Sequence, residues 1–278
     1  MVATLSKKSF IDECKVQFDV DESSIIYLMC ERLNIDETAL YMTINEPIDE
    51  NIAMQIKEDL MMIEDAYPIQ YVLGYAYFYG DRYIVNKDVL IPRFDTELLV
   101  DWVLTEHSNE SKQIVDVGTG SGIIAIQLKR ERPLFNVTAT DISNQALDVA
   151  SANASHYDVA IDFKHANGLE GVPSFDILIS NPPYIMHDEI DVMTESTIKY
   201  EPDLALFAED NGLSIYRMIL TQACRQNKHQ FICYFEFGYK QQDLLTELFN
   251  QFDRVTGYEF RKDLQGHDRM AKVYVKAR

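Results

Sequence analysis

Ile114-Val115-Asp116-Val117-Gly118-Thr119-Gly120-Ser121-Gly122 is an apolar strand running into a glycine-rich turn, and a helical pattern from Ile123 to Arg130 follows it. Glycine at every second position lets a backbone approach a ligand closely and turn through positive φ where it must. The helix start beyond the turn favours negative charge such as a ligand carboxylate. The spacing G-x-G-x-G departs from the dinucleotide spacing G-x-G-x-x-G, which argues against a nicotinamide cofactor. Asp116 is positioned to orient this loop or meet a ligand amino group; a buried carboxylate satisfied by backbone N–H groups is the alternative.

The pattern repeats outward from this stretch. Strands are expected near 113–117, 136–140, 160–164, 174–180, 230–236, 254–260 and 270–276, with helices after most of them. Apolar strands separated by helices imply an α/β, doubly wound, mostly parallel sheet covered on both faces. The loop from Lys262 to Arg269 is too short for a parallel crossover, so the last strand should run antiparallel. Asp141 closes the strand Val137-Thr138-Ala139-Thr140, where a carboxylate can accept hydrogen bonds from both hydroxyls of a ribose, or cap the helix beginning near Ser143.

Asn181-Pro182-Pro183-Tyr184 follows the apolar run Ile177-Leu178-Ile179-Ser180. Asn181 carries an acceptor oxygen beside an amide donor. The two prolines fix φ, offer no competing N–H, and leave the Pro182 carbonyl free to accept a second hydrogen bond. Tyr184 adds a flat face for stacking. Together these four residues can hold a planar amide or amine by its N–H groups beside a reactive carbon. A Pro-Pro turn that only ends a strand is the plain alternative.

Before the sheet, residues 1–74 read as short helices with polar caps. Asp21-Glu22-Ser23 precedes an apolar face of Ile25, Ile26, Leu28, Met29 and Leu33; Asp36 opens another helix; and Pro47 introduces an amphipathic segment through Ile52, Ile56, Leu60 and Ile63 that ends by Pro68. From Tyr75 to Val85 the period changes to two around Gly80-Asp81, the pattern of a β-hairpin. The expected organisation is an N-terminal helical bundle (1–74), a hairpin linker (75–93) and an α/β sheet domain (94–278).

Composition removes several classes. With 25 Lys and Arg against 45 Asp and Glu, the formal charge of −20 opposes extended binding to a phosphate backbone. Residues 1–75 hold 5 basic and 15 acidic side chains, a surface that attracts a basic protein or only aids solubility. No apolar run is long enough to span a bilayer and Met1 to Phe10 lacks a signal core, so a soluble, cytoplasmic, non-membrane protein is expected. Cys14, Cys30, Cys224 and Cys233 are scattered and expected to be reduced, and neither they nor the six histidines have metal spacing. Trp102, at helical spacing from Leu98 and Leu99, is expected in the core.

In these motifs the chain resembles the seven-stranded S-adenosylmethionine-dependent methyltransferases of Rossmann-like fold, and within them the bacterial peptide-chain release-factor glutamine methyltransferases, a resemblance that implies a substrate-recognition domain at 1–74 and a catalytic domain at 94–278. The matching pieces run in order along most of the chain. They are Gln70-Tyr71-Val72-Leu73-Gly74, Val89-Leu90-Ile91-Pro92-Arg93, Asp95-Thr96-Glu97, the glycine loop, Asn181 to Tyr184, Tyr200-Glu201-Pro202, Ala205-Leu206-Phe207, Asp210-Asn211-Gly212-Leu213 and Asp268-Arg269. The resemblance implies S-adenosylmethionine as methyl donor and, as acceptor, the side-chain nitrogen (N5) of the glutamine in a release factor's Gly-Gly-Gln tip.

It implies donor contacts at Asp116, Gly118, Thr119, Gly120, Ser121, Gly122, Asp141 and Asn181, with catalysis at Asn181, Pro182, Pro183 and Tyr184. Asn167, in Ala166-Asn167-Gly168, stands where relatives place an acidic or aromatic residue, and is a further candidate donor contact. Phe94 replaces a second proline common in the family, and Gly266-His267 precedes Asp268-Arg269. Arg93 and Glu201 can pair to secure the acceptor loop or form a surface pair of little value. A ribosomal-protein glutamine methyltransferase and a DNA adenine-N6 methyltransferase use the same chemistry. A catalytically silent adaptor is the alternative of a different class.

Overall fold

A computed structural model describes residues 5–186, 189–190 and 193–278, which fall into two compact units. The first takes Met1–Gly74 together with Thr194–Tyr200; the second takes Tyr75–Met193 and Glu201–Arg278.

The first unit is helical: α1 (Lys7–Gln17), α2 (Glu22–Leu33), α3 (Glu37–Met42), α4 (Glu50–Glu64) and α5 (Ile69–Leu73). Asp21, Asp36 and Asp49 cap α2, α3 and α4, each side chain accepting a backbone N–H of the first turn. The cap of α4 is thus Asp49, two residues beyond the proline that announced it. Phe10, Cys14, Ile25, Leu28, Met29, Ile56 and Leu60 form its core. Beside that core, Arg32 forks onto the buried Asp59 through bonds of 2.7 and 2.9 Å. The short segment Thr194–Tyr200 joins this unit through Asp65, whose carboxylate accepts from Lys199 Nζ and Tyr200 Oη, both at 2.7 Å.

In the second unit, β1 (Tyr75–Phe78) and β2 (Asp81–Ile84) form the hairpin. Tyr79 lies in its turn at φ 54°, not on the strand the alternation suggested, because Tyr79 and Gly80 together make the positive-φ pair that a two-residue hairpin needs. Then come α6 (Phe94–Glu106), β3 (Gln113–Val117), α7 (Ile123–Glu131), β4 (Asn136–Asp141), α8 (Asn144–His156), β5 (Asp162–His165) and β6 (Ile177–Ser180). After α9 (Glu195–Tyr200), which belongs to the first unit, follow α10 (Asp203–Leu206), α11 (Ser214–Gln226), β7 (Phe231–Glu236), α12 (Gln242–Phe249), β8 (Val255–Lys262) and β9 (Asp268–Val275).

The seven-stranded sheet has the order β5-β4-β3-β6-β7-β9-β8. β3 to β7 are parallel, and β9 inserts antiparallel between β7 and β8. Side chains alternate along β3. Ile114 packs in the layer of Leu99, Trp102, Ile124 and Leu128, whereas Val115 and Val117 enter the opposite layer with Ile219, Leu220, Leu245 and Phe249. Both faces are therefore covered, which is what makes the parallel strands apolar throughout.

Succession from β3 outward runs one way through β4 and β5 and the other way through β6 and β7. That reversal opens a crevice at the carboxyl ends of β3 and β6, the place where open α/β sheets bind ligands. The expected site motifs end there. Trp102 is buried at 1% exposure, and its Nε1–H donates to Glu106 at 2.7 Å. The four cysteines are free.

Candidate active site

The loop after β3 is held open by backbone bonds to the neighbouring strand. Gly118 and Thr119 donate their N–H groups to the Thr140 carbonyl at 2.8 and 2.9 Å, and Gly118, Gly120 and Gly122 all sit at positive φ. Gly122 is the one for which space also demands glycine. A Cβ there would stand 3.0 Å from both Ala150 Cβ and Ile126 Cδ1, so α7 and α8 close together only because it has none. Asn153, fully buried on α8, donates to the Ser121 carbonyl at 2.8 Å and exchanges two bonds with Ile84, tying loop, helix and hairpin.

Asp116 is fully buried, and its Oδ2 accepts the Thr119 hydroxyl at 2.6 Å. Its Oδ1 is buried without a hydrogen-bond partner. Burial pushes its carboxyl up to about 7, and the charge of Asp141 adds to the rise, against the pull of the Thr119 hydroxyl. Asp141 Oδ2 accepts the Gly120 N–H and Oδ1 the Ser143 N–H, both at 2.9 Å, so one carboxylate ties the loop after β3 to the turn after β4. The cap of α8 is Ser143, whose hydroxyl accepts from Ala146; Asp141 stands two residues too early for that role. Desolvation raises the Asp141 carboxyl as well. Asn167 is exposed at the rim, and its carbonyl accepts from Gln222.

Across the crevice, Asn181 Nδ2–H donates to Thr96 Oγ1 at 3.1 Å, and the Thr96 hydroxyl donates to the buried Glu236 carboxylate at 2.7 Å. The chain beyond is pinned on two sides. Gln241 Nε2–H donates to the Tyr184 carbonyl at 2.9 Å, while the Ile185 N–H donates to Leu206 O and the Ile185 carbonyl accepts the Ala208 N–H, both at 3.0 Å. Burial raises the Tyr184 phenol well above its ordinary value, so its ring is presented neutral. Glu201, buried, accepts from Arg93 Nη2 at 2.5 Å and from the Ile91 N–H at 3.1 Å. The pair therefore fastens the Ile91-Pro92-Arg93 segment and is no loose surface contact. Phe94 is exposed in the first turn of α6, a position that also suits proline, so the exchange changes only the helix entry.

One cavity of about 260 Å³ is lined on one side by Gly118 to Ser121, Asp141 and Asn167, and on the other by Arg93, Thr96 and Asn181 to Pro183, with Asp116, Glu201 and Glu236 buried behind that lining. Tyr184 lies just behind this lining, packed into the core layer of Tyr216 and Phe235. Among the described residues no cluster of His, Cys, Asp or Glu could hold a metal ion. Thr96, Asn153, Glu236 and Gln241 were not singled out from the sequence for the site. Glu236 did leave a signal, an acid closing the apolar strand Phe231 to Phe235 at its carboxyl end.

The PrmC N-terminal domain family matches residues 12–74, and the methyltransferase small domain family matches residues 93–202. The release factor glutamine methyltransferase of Enterococcus faecalis is 42% identical over 250 residues, covering 89% of this chain and 90% of the relative. The chain belongs to the release factor glutamine methyltransferase family. The Lactococcus lactis member is 38% identical over 256 residues, covering 92% of this chain and 89% of that one. A methyltransferase structure from Pyrococcus furiosus shares the fold at a TM-score of 0.53 and 15% identity, covering 83% of this chain and all of that one.

As a member of this family the protein is an S-adenosylmethionine-dependent methyltransferase. Its crevice suits such a donor. The strand-end Asp141 carboxylate lines the cavity and fits a pair of hydroxyls, and the glycine turn beside it leaves room for a ligand to approach the backbone.

Proposed function

We propose that this enzyme methylates the side-chain amide nitrogen (N5) of the glutamine in the Gly-Gly-Gln tip of peptide chain release factors. The observation that carries this is the opening of two half-sites, the glycine loop with Asp141 and the Asn181-Pro182 acceptors, onto one cavity in a chain of this family. S-adenosylmethionine supplies an electrophilic methyl group on a sulfonium. In this proposal Asp141 accepts from its ribose, Asp116 from its amino group, and the backbone from Gly118 to Gly122, with Asn167 at the rim, shapes its seat.

Asn181 Oδ1 and the Pro182 carbonyl accept the two N–H bonds of the glutamine amide, and Pro183 forms the apolar wall beside them, backed by the ring of Tyr184. An amide nitrogen is a poor nucleophile because its lone pair is delocalised, so position matters most; orientation alone is worth about 7–11 kcal/mol in well-aligned intramolecular reactions. As the nitrogen becomes cationic, both carbonyl acceptors bind its N–H groups more strongly, which stabilises the transition state over the ground state. The methylated amide is then acidic enough to release its proton to water.

The acidic residues 1–75 suit recognition of a basic, RNA-binding factor by the N-terminal unit. Such a partner places the enzyme in the cytoplasm; among the described residues no helix is long and apolar enough to cross a membrane. The charge of −20 disfavours DNA as substrate. Incubation of the purified protein with labelled S-adenosylmethionine and a release factor, followed by peptide mass mapping, tests the proposal. One added methyl on the tip glutamine, lost with a Gln→Ala tip, is expected; label that persists on the Gln→Ala factor would overturn it.

A further inference from the structure

Asn181 can serve an N–H-bearing acceptor only if its oxygen, not its NH₂, faces the cavity, and an Asn side chain has no intrinsic preference between the two. We propose that Glu236, acting through the Thr96 hydroxyl, sets the direction of the Asn181 amide and so restricts the site to acceptors that present N–H groups. Thr96 and Glu236 are positioning residues, and the assignment deepens the glutamine-methylation proposal on which it rests.

The number of donors on each group sets the direction of each bond in this relay. An ionised carboxylate only accepts, so the single hydrogen of Thr96 Oγ1 is committed to Glu236, 2.7 Å away. Thr96 then has only lone pairs left for Asn181, which must offer Nδ2–H, at 3.1 Å. The Asn181 oxygen is thereby left for the cavity that Thr96 and Asn181 both line. The three residues come from three separate elements, α6, the loop after β6 and the end of β7, so the chain of bonds exists only in the folded sheet. Glu236 is 1% exposed, and Tyr216 Oη–H donates to its main-chain carbonyl at 2.7 Å, which fixes the strand end that carries it.

Protonation of Glu236 reverses the logic. A carboxylic acid can donate to Thr96, whose hydrogen is then free to point at Asn181; the amide turns over and shows NH₂ to an acceptor that also carries N–H. The groups facing Glu236 are Asp95 on α6, Arg93 just before it, Arg269 on β9, and the phenols of Tyr184 and Tyr216. Burial and Asp95 favour the acid, while the Thr96 bond and the two arginines favour the carboxylate, and the balance leaves the carboxyl raised to about 7. Activity should therefore fall on the acid side of neutrality.

The test is a double-mutant cycle on the full-length enzyme with T96V, N181A and their combination, plus T96S and E236Q, using release factor and S-adenosylmethionine. T96V should lower kcat roughly 10–100-fold, the usual range for a residue that orients a functional one, with KM and S-adenosylmethionine binding by calorimetry little changed. In the N181A background the same change should have almost no further effect, because Thr96 acts only through Asn181. T96S should recover most of the loss. E236Q, whose amide can give or accept, should lower kcat and erase the acid limb of the pH profile.

Equal losses from T96V with and without Asn181, or an unchanged acid limb in E236Q, would overturn the assignment. If T96V does not fold, the E236Q profile and side-chain amide NMR decide. One slowly exchanging Asn181 Nδ2 proton is expected in wild type and not in E236Q; its persistence in E236Q counts against the proposal. Should the methyl land on an N–H group other than glutamine, the substrate proposal fails while the cycle is still read on that acceptor.

Discussion

Replacement of Gly212 by alanine tests how the acceptor loop is held in place. Gly212 sits at φ +78°, and a Cβ there would run into the Tyr184 carbonyl oxygen and Gln241 Nε2, with the Tyr184 carbonyl carbon 3.1 Å away. Those two atoms form the 2.9 Å bond that anchors Tyr184, and Gln241 is itself fixed by the Gly238 N–H at 3.0 Å and the Asn211 carbonyl at 3.1 Å. The added methyl therefore cannot be absorbed by a flexible chain end. About 1–2 kcal/mol comes from the left-handed backbone, roughly 1–3 from overpacking and about 1 from the broken bond, some 3–6 kcal/mol together.

Gly171→Ala is the control, since its φ is +70° but no atom lies within 4 Å of the added Cβ, and only the backbone part, about 1–2 kcal/mol, should appear. Urea unfolding followed through Trp102, the sole tryptophan and buried, measures both variants. If Gly212→Ala folds, displacement of Tyr184 by about 1 Å should also reduce kcat on the order of 100-fold. A stability loss within about 0.5 kcal/mol of the control, together with normal turnover, would refute this account of the loop.

Other outcomes follow from the same geometry. Asn181→Ala should keep S-adenosylmethionine binding, measured by calorimetry, while turnover drops by roughly two to three orders of magnitude; near-normal kcat would remove it from catalysis. Asp116 has a folded-state carboxyl raised to about 7 from an ordinary 3.8, so it favours the fold fully at low pH, and that contribution is lost as pH rises through this window. In ligand-free protein, Asp116→Asn should accordingly gain up to roughly 4 kcal/mol relative to wild type between pH 4 and 8, and parallel urea curves across that range would contradict it. In the helical unit, Arg32→Ala leaves the buried Asp59 without its fork and should lower stability by about 3–5 kcal/mol, read by calorimetric unfolding.

Much of the catalytic half was legible because its signals are local. Apolar strands separated by helices, the glycine turn from Gly118 to Gly122, the acid at Asp141 and the rigid Asn181 to Tyr184 segment each carry their geometry within a few bonds, and parallel β3 to β7 bring their carboxyl ends to one edge. The antiparallel last strand followed from a short loop. Its insertion between β7 and β8 did not, since a neighbour in a sheet is chosen by contacts far away in sequence. The assignment of Thr194–Tyr200 to the helical unit was equally invisible, resting on Lys199 and Tyr200 meeting Asp65 more than 130 positions earlier.

By itself, then, the sequence determined the chemistry available to this protein: which backbone can cradle a ligand, which amide and carbonyl can take an N–H group, and which carboxylates stand at strand ends. Tertiary structure decided how those groups are aimed. Asn181 and Thr96 are 85 residues apart, and Thr96 and Glu236 are 140 apart, yet their hydrogen bonds determine which face of one amide meets the cavity. A hydrogen bond has direction only between atoms already brought within about 3 Å, and for these three residues only the folded sheet does so.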